Sequence, residues 1–240
     1  MRSLIVIVGI TLFSTGVIAQ SADFSLGVFF QPGITHHIVS YENTEIKAAF
    51  ADLHANDKPD LGWEGGISAQ MFLSDLIHIE SGVTISKKGY RSLLSIDSLI
   101  LTEEPEDPML TDLKESNSSH EFYFVSIPAR FGINLFKDRN IMAGVRCGLQ
   151  ADYLIRGIIR YKNIYRNRTE NSVVHPDLSN YRKINFSGSL GIFCTYELSD
   201  QYDVSLEPYC SVSVLDVIND SKINTRFILG GIRASIHYTF

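Results

Sequence analysis

From residue 24 onward, eight stretches of the chain alternate apolar and polar residues with a period of two. Tyr123, Val125, Ile127, Ala129, Phe131, Ile133 and Leu135 interleave with Phe124, Ser126, Pro128, Arg130, Gly132 and Asn134. Ile184, Phe186, Gly188, Leu190, Ile192, Cys194 and Tyr196 interleave with Asn185, Ser187, Ser189, Gly191, Phe193 and Thr195. The same rhythm runs over residues 24–31, 63–73, 77–86, 141–153, 202–214 and 227–240. Successive side chains of a strand point to opposite faces. The pattern therefore predicts eight strands, each with one apolar and one mostly polar face.

The connections alternate as well. Ser74-Asp75-Leu76, Lys137-Asp138-Arg139-Asn140 and Ser199-Asp200-Gln201 read as tight turns. Residues 32–61, 87–122 and 157–183 read as long polar loops, and the last loop, near Asn219-Asp220-Ser221, as a short one. Tight turns at one end and long loops at the other describe a transmembrane β-barrel, with both mature termini on the turn side.

A water-soluble, ligand-binding barrel has the same period; three features favour a membrane. The run from Tyr123 to Leu135 keeps one register for longer than ordinary strands of about 5–6 residues. The polar face is rich in Gly, Ser, Thr and Asn rather than Lys and Glu, which suits a crowded lumen better than water. Aromatic residues mark the ends of the apolar face, with Trp63, Tyr123 and Tyr153 at the loop end and Phe24, Tyr196, Tyr202, Tyr238 and Phe240 at the turn end. These form two interfacial girdles. An open sheet edge in hydrocarbon would strand N–H and C=O groups, so the sheet must close.

Composition narrows the class. The chain has 240 residues, 21 Lys+Arg against 27 Asp+Glu for a net charge of −6, and 45% hydrophobic residues. It is too apolar to be disordered, and its mild acidity argues against nucleic acid as a partner. Three cysteines do not make a disulfide scaffold. Arg2, the apolar run Leu4 to Phe13 and the ending Val17-Ile18-Ala19-Gln20 describe a secretory signal peptide over residues 1–19, cut after Ala19. Residues 20–240 are then one exported barrel domain.

The strand Tyr123-Phe124-Val125-Ser126-Ile127-Pro128-Ala129-Arg130-Phe131 resembles the Bacteroidetes outer-membrane β-barrel family often called PorT-like, whose mark is an aromatic-Leu-Glu-Ile-Pro-Leu-type strand. Ile127 and Pro128 match, and Arg130 takes the basic position that follows. Ser126 stands in place of the usual Glu, and Ala129 in place of the usual Leu. Ala143-Gly144, Tyr153-Leu154, Gly188, Gly191, Tyr196-Glu197-Leu198, Leu206-Glu207-Pro208-Tyr209 and Tyr238-Thr239-Phe240 extend the likeness over most of the mature chain. The resemblance implies an all-β, eight-stranded antiparallel transmembrane barrel, OmpA/OmpX-like, in the outer membrane of a Gram-negative bacterium. It does not fix a role, because one fold hosts many functions. Phe240 on an amphipathic last strand looks like the signal read by the barrel-assembly machinery. Pro128 removes a ladder donor, so a bulge or kink is expected there.

Candidate sites follow from the register. Glu80, Arg130, Arg146, Glu207 and Arg233 all point inward at similar depth and are expected to form an ion-paired layer plugging the lumen; a proton or ion path is the alternative. His36, His37, His54, His120 and His175 are placed in the long loops without metal-type spacing. The acidic run at residues 103–108 reads as a solvated loop. The basic residues Arg156, Arg160, Lys162, Arg166 and Arg168 read as an ordinary solvated loop, with contact to lipid phosphate as the alternative. Cys147, Cys194 and Cys210 fall on the apolar face and are expected to be free thiols; only Cys194 and Cys210 lie on adjacent strands. No metal or cofactor is expected. No strand carries a His on its apolar face, and His78 and His237 point inward near the turns, which argues against a lipid-modifying enzyme. The leading expectation is a non-enzymatic barrel that presents loops for binding or surface interaction. The alternatives are a narrow transport channel or an accessory barrel of a secretion apparatus. Expected partners are outer-membrane lipid and lipopolysaccharide, the barrel-assembly machinery, and an extracellular or envelope partner.

Overall fold

The computed structural model describes residues 24–41, 44, 56–95, 113–218 and 223–240. Its strands are β1 (Phe24–Tyr41), β2 (Lys58–Phe72), β3 (Ile77–Ser95), β4 (Leu113–Asp138), β5 (Ile141–Tyr165), β6 (Thr169–Val174), β7 (Ile184–Glu197), β8 (Tyr202–Ser213) and β9 (Ile223–Thr239). The signal-peptide segment, His54 and the acidic run at 103–108 lie outside the described residues.

Eight of these strands close into a ring. The ladder runs β4-β3-β2-β1-β9-β8-β7-β5, and β4 also pairs with β5. Every pairing is antiparallel, from Phe24↔Met71 around to Ser25↔Thr239. No edge in the ring is left open to hydrocarbon. The chain is an eight-stranded antiparallel barrel, and the alternation places it as the sequence reads.

The strands run further than the alternation predicts, so the long loops are shorter than expected. Residues 32–41 continue β1, residues 87–95 continue β3, and residues 113–122 begin β4. The basic run beginning at Arg156 lies in β5, whose upper end folds back through a turn at 166–168 into a short strand outside the ring, β6. His36 and His37 lie in β1 and His120 in β4, not in loops; His175 lies just after β6. These extensions were hidden because sequences such as Ser116-Asn117-Ser118-Ser119 are polar on both faces.

The burial pattern is inverted relative to a water-soluble protein. Leu190 is 62% exposed and Ile232 57%, whereas Arg233 is 1% and Glu207 2% exposed. Val125 and Val145 also lie on the outer face, half-buried between neighbours. Ile67, Ile127, Leu149, Ile192 and Leu206 extend the same apolar belt around the ring. A contiguous apolar surface of this extent belongs against acyl chains, not water.

Three prolines sit inside strands without shifting register, so the bulge expected at Pro128 does not form. Pro128 pairs with Gln150 on β5, while the β3–β4 ladder skips from Ser81↔Ala129 to Thr84↔Ser126 in unchanged register. Pro32 leaves the same gap toward β9 and Pro208 toward β7. Each ring nitrogen removes one donor on one side only. Ser81 Oγ donates to the Pro128 carbonyl at 2.8 Å. The register shifts of β4 against β5 fall elsewhere, at Leu113/Glu115, Tyr123/Phe124 and Asn134/Phe136.

Two of the three tight turns share a mechanism. Ser74 Oγ accepts from Ile77 N, and Ser199 Oγ from Tyr202 N, both at 3.2 Å. Arg139, with φ 38°, supplies the left-handed residue of the β4–β5 turn.

Candidate functional site: the lumen and its loop end

The inward face brings together the five charges read from the sequence. Arg233 Nη2 donates to Glu80 Oε1 at 2.7 Å. Arg146 Nη1 lies 2.8 Å from Glu207 Oε2 and 3.2 Å from Glu80 Oε2. Arg130 Nη1 stands 3.7 Å from a carboxylate oxygen of each glutamate. All five are at most 4% exposed. Each guanidinium also rests on an inward ring: Arg130 on Tyr209, Arg146 on Phe193 and Arg233 on Phe29, the last at 3.7 Å. Burial of this kind requires each charge to be paired; Arg130 is held by charge and ring contact alone, because none of its guanidinium nitrogens makes a hydrogen bond among the described residues.

Glycines make room for the layer. A Cβ on Gly191 would stand 2.3 Å from Glu207 Oε1, and one on Gly148 would stand 2.7 Å from Arg130 Cγ. Large inward side chains on one strand therefore face missing side chains on the next, as an eight-stranded interior demands.

Toward the turns the network continues. Gln70 Nε2 donates to Glu80 Oε2 at 3.0 Å and lies 3.1 Å from His237 Nε2. His237 Nδ1 is 3.1 Å from Asp203, and Arg146 approaches His78 Nε2 at 3.1 Å. His78 and His237 both point inward. Below them a mouth of about 570 Å³ opens among Asn134, Lys137, Thr195, Glu197 and Asp203.

Toward the loops a second polar tier centres on Asp152. It receives Lys88 Nζ at 3.1 Å, Ser126 Oγ at 2.6 Å and Gln150 Nε2 at 2.9 Å, with Ser187 Oγ beside it. Above this tier the lumen becomes apolar. Tyr90, Phe122, Phe124, Leu154, Val217 and Phe227 form one buried cluster, with Leu178 and Tyr181 packed on it. The Phe122 and Phe227 rings are 5.4 Å apart, and Tyr181 lies 5.2 Å from Phe122. A 3-10 turn at Leu178–Asn180 and the segment around Val217 fold over the opening, tied by Arg182 N to the Val217 carbonyl at 2.8 Å. This cap was not anticipated. Its signal is present in the sequence: Phe122, Phe124, Phe227 and Leu229 share the inward parity of Arg130 and Arg233.

On the outer face, Trp63 packs near Phe30 at the loop end, while Tyr123 lies half-buried there and Tyr153 is exposed. At the turn end Tyr202, Tyr238, Phe240 and Phe24 form a continuous run of ring contacts, and Tyr196 is exposed. Cys147, Cys194 and Cys210 are free and face outward; Cys194 pairs with Leu206 and Cys210 with Leu190 across the β7–β8 ladder. Among the described residues no group of three or more His, Cys, Asp or Glu is placed to hold a metal ion.

No protein-family model matches the chain, and no curated protein matches it. Solved structures do. Neisserial surface protein A is 12% identical, with a TM-score of 0.41 over 92% of this chain and 100% of that one. The outer membrane protease OmpT from Escherichia coli is 12% identical, with a TM-score of 0.40 over 91% and 96%. The outer membrane protein OprG from Pseudomonas aeruginosa is 7% identical, with a TM-score of 0.38 over 91% and 96%. The fold assignment itself rests on the closed ring and its inverted faces.

Proposed function

We propose that the chain is a non-enzymatic outer-membrane barrel whose plugged lumen is structural and whose extended loop end is the working surface, presented outside the cell for binding or surface interaction. The observation that carries this reading is the double closure of the lumen. The Glu80–Arg130–Arg146–Glu207–Arg233 layer crosses it, and the cap around Phe122 and Phe227 closes it above. Meanwhile β4, β5 and β6 continue beyond the girdle. Material is better offered on such a surface than passed through such a bore. The likeness of residues 123–131 to PorT-like barrels supports a Bacteroidetes origin, and residues 1–19 support export by a cleaved signal peptide. His78 and His237 are held by Arg146, Gln70 and Asp203 near the turns, away from the outer leaflet, which supports a role without catalysis.

The test combines two measurements on the full chain. A cysteine-free version with a single cysteine at Asn167 should label from outside intact cells with an impermeant maleimide, and the purified wild type should give no large steady conductance in planar bilayers. Labelling only after lysis, or large steady channels, would reject the reading. A narrow transport conduit is the second reading, favoured by inward Gln31, Thr84 and Ser86, whose polar atoms have no protein partner. A secretion accessory is the third, and it requires co-purification of other envelope proteins from native membranes.

A further inference from the structure

The outer surface just beyond the girdle is not uniform. Trp63 faces Lys87, Lys87 faces Tyr123 and Tyr123 faces Arg156 across neighbouring strands. Below that row lie Ile85, Val125 and Tyr153 of the apolar belt. Above it, Lys58 is registered beside Arg91, Arg91 beside Ser119 and Ser119 beside Arg160, with Lys162 next on the same face opposite Asn117. Lys58, Arg91, Arg160 and Lys162 are exposed and line a trough of about 530 Å³. The rest of its lining is mainly serine and asparagine, and no described carboxylate lines it.

Three nearby carboxylates are already committed. Asp60 takes the Nε and Nη2 of Arg91, both at 2.8 Å. Glu121 takes Arg160 Nε and the Tyr123 hydroxyl, both at 3.3 Å. Glu115 takes Asn117 Nδ2 at 2.7 Å, and Lys87 lies 3.8 Å from Asp60 and 3.7 Å from Glu121. Against these three carboxylates stand six cations: Lys58, Lys87, Arg91, Arg156, Arg160 and Lys162. The far side of the barrel differs. There β1 exposes Ile34 and Ile38, and Arg226 on β9 is paired with Asp216 at 3.1 Å.

We propose that this trough is a binding site for the phosphorylated saccharide headgroup of an outer-leaflet glycolipid of the lipopolysaccharide class. The match is to an amphiphile. Phosphate groups meet guanidinium and ammonium donors with surplus positive charge, hydroxyl and amide side chains meet the sugar, and the acyl chains run down the belt at Val125 and Tyr153. Continuity from cation to aromatic to aliphatic residue along the same strands fits such a molecule, and a soluble anion would use only the upper part. The proposal rests on the reading that the loop end faces outward. That reading is tested by the Asn167 label, so the two can fail separately.

The test uses the full barrel in detergent, with native mass spectrometry and titration of bis-phosphorylated lipid A, dephosphorylated lipid A and phosphatidylglycerol. The expected result is one retained bis-phosphorylated lipid A, bound at least tenfold more tightly than either of the others. The combined variant Lys58→Ser/Arg160→Ser/Lys162→Ser, which leaves the Arg91–Asp60 pair intact, should lose at least tenfold in that affinity while keeping its β-sheet spectrum and heat-modifiable migration. A variant that fails to fold is replaced by Lys162→Glu alone, for which a several-fold loss is expected. Equal retention of phosphorylated and dephosphorylated lipid A, equal retention of phosphatidylglycerol, or unchanged affinity in a folded variant would each overturn the proposal.

Discussion

Arg146 on β5 donates to Glu207 on β8 at 2.8 Å, although β7 lies between their strands. The bond crosses an intervening strand because Gly191, the residue of β7 opposite Arg146, has no side chain to block it. The lumen is thus braced across its width as well as around its wall. Arg146→Met should leave Glu207 buried without its closest partner and lower stability by about 3–5 kcal/mol. The double variant Arg146→Met/Glu207→Leu should recover most of that loss. Urea titration of the folded barrel in lipid vesicles measures both, and full additivity of the two single losses would contradict the pairing.

The space at Gly191 is itself testable. A valine there would overlap the Glu207 carboxylate, at a cost of about 1–3 kcal/mol of overpacking. Gly188, where an added Cβ meets nothing within 4 Å, provides the comparison on the same strand. Gly188→Ala should be close to neutral in the same titration.

Arg130 stacks on Tyr209 and stands between two glutamates. Arg130→Met should reduce the yield of heat-modifiable, folded barrel while leaving planar-bilayer conductance at its low wild-type level. A variant that folds normally but conducts strongly would mean that the layer gates a path.

The aromatic cap closes the loop end independently of the ionic layer. Phe227→Ala should cost about 3–5 kcal/mol without opening a channel, because Glu80, Arg146 and Arg233 still cross the lumen beneath it. Paired unfolding and conductance measurements check this, and a new conductance would show that the lower layer does not close the bore.

The lipid face responds to depth. Leu190→Arg, in the middle of β7, should cost about 2–4 kcal/mol of folding into vesicles, and Val214→Arg, at the loop end of β8, about 0–1 kcal/mol. Similar costs at the two positions would argue against the membrane boundaries drawn by Trp63, Tyr123 and Tyr153.

The legible part of this molecule was whatever a two-residue period can encode. The parity of Ile127 against Arg130, or of Ile232 against Arg233, fixes which side chains meet acyl tails and which share the lumen. Once the ring closes, inward charges at similar depth must neighbour one another. Three features were not read. The upper half of β4 carries polar residues on both faces, and those of β3 and β5 mix apolar with polar or charged residues on each face, so no two-residue contrast marks them as strands. The cap depends on Val217 and Leu178 arriving from separate connections, which local pattern does not register. The bulge expected at Pro128 was misplaced because a missing donor can be left unmatched on one side while the ladder to β5 runs on through Gln150.

That last feature reaches beyond Pro128. Pro32 opens its gap in the seam between β1 and β9, where the first and last strands meet. This seam joins the two strands farthest apart in sequence, so its closure carries the largest loop-closure cost in the wall. Its ladder is interrupted at Gln31 and Pro32, with Gly33 and Gly231 bringing the backbones close beside the gap. The barrel therefore carries an incomplete stitch at the join, where the first and last strands are threaded together and where amide exchange should register the missing pair.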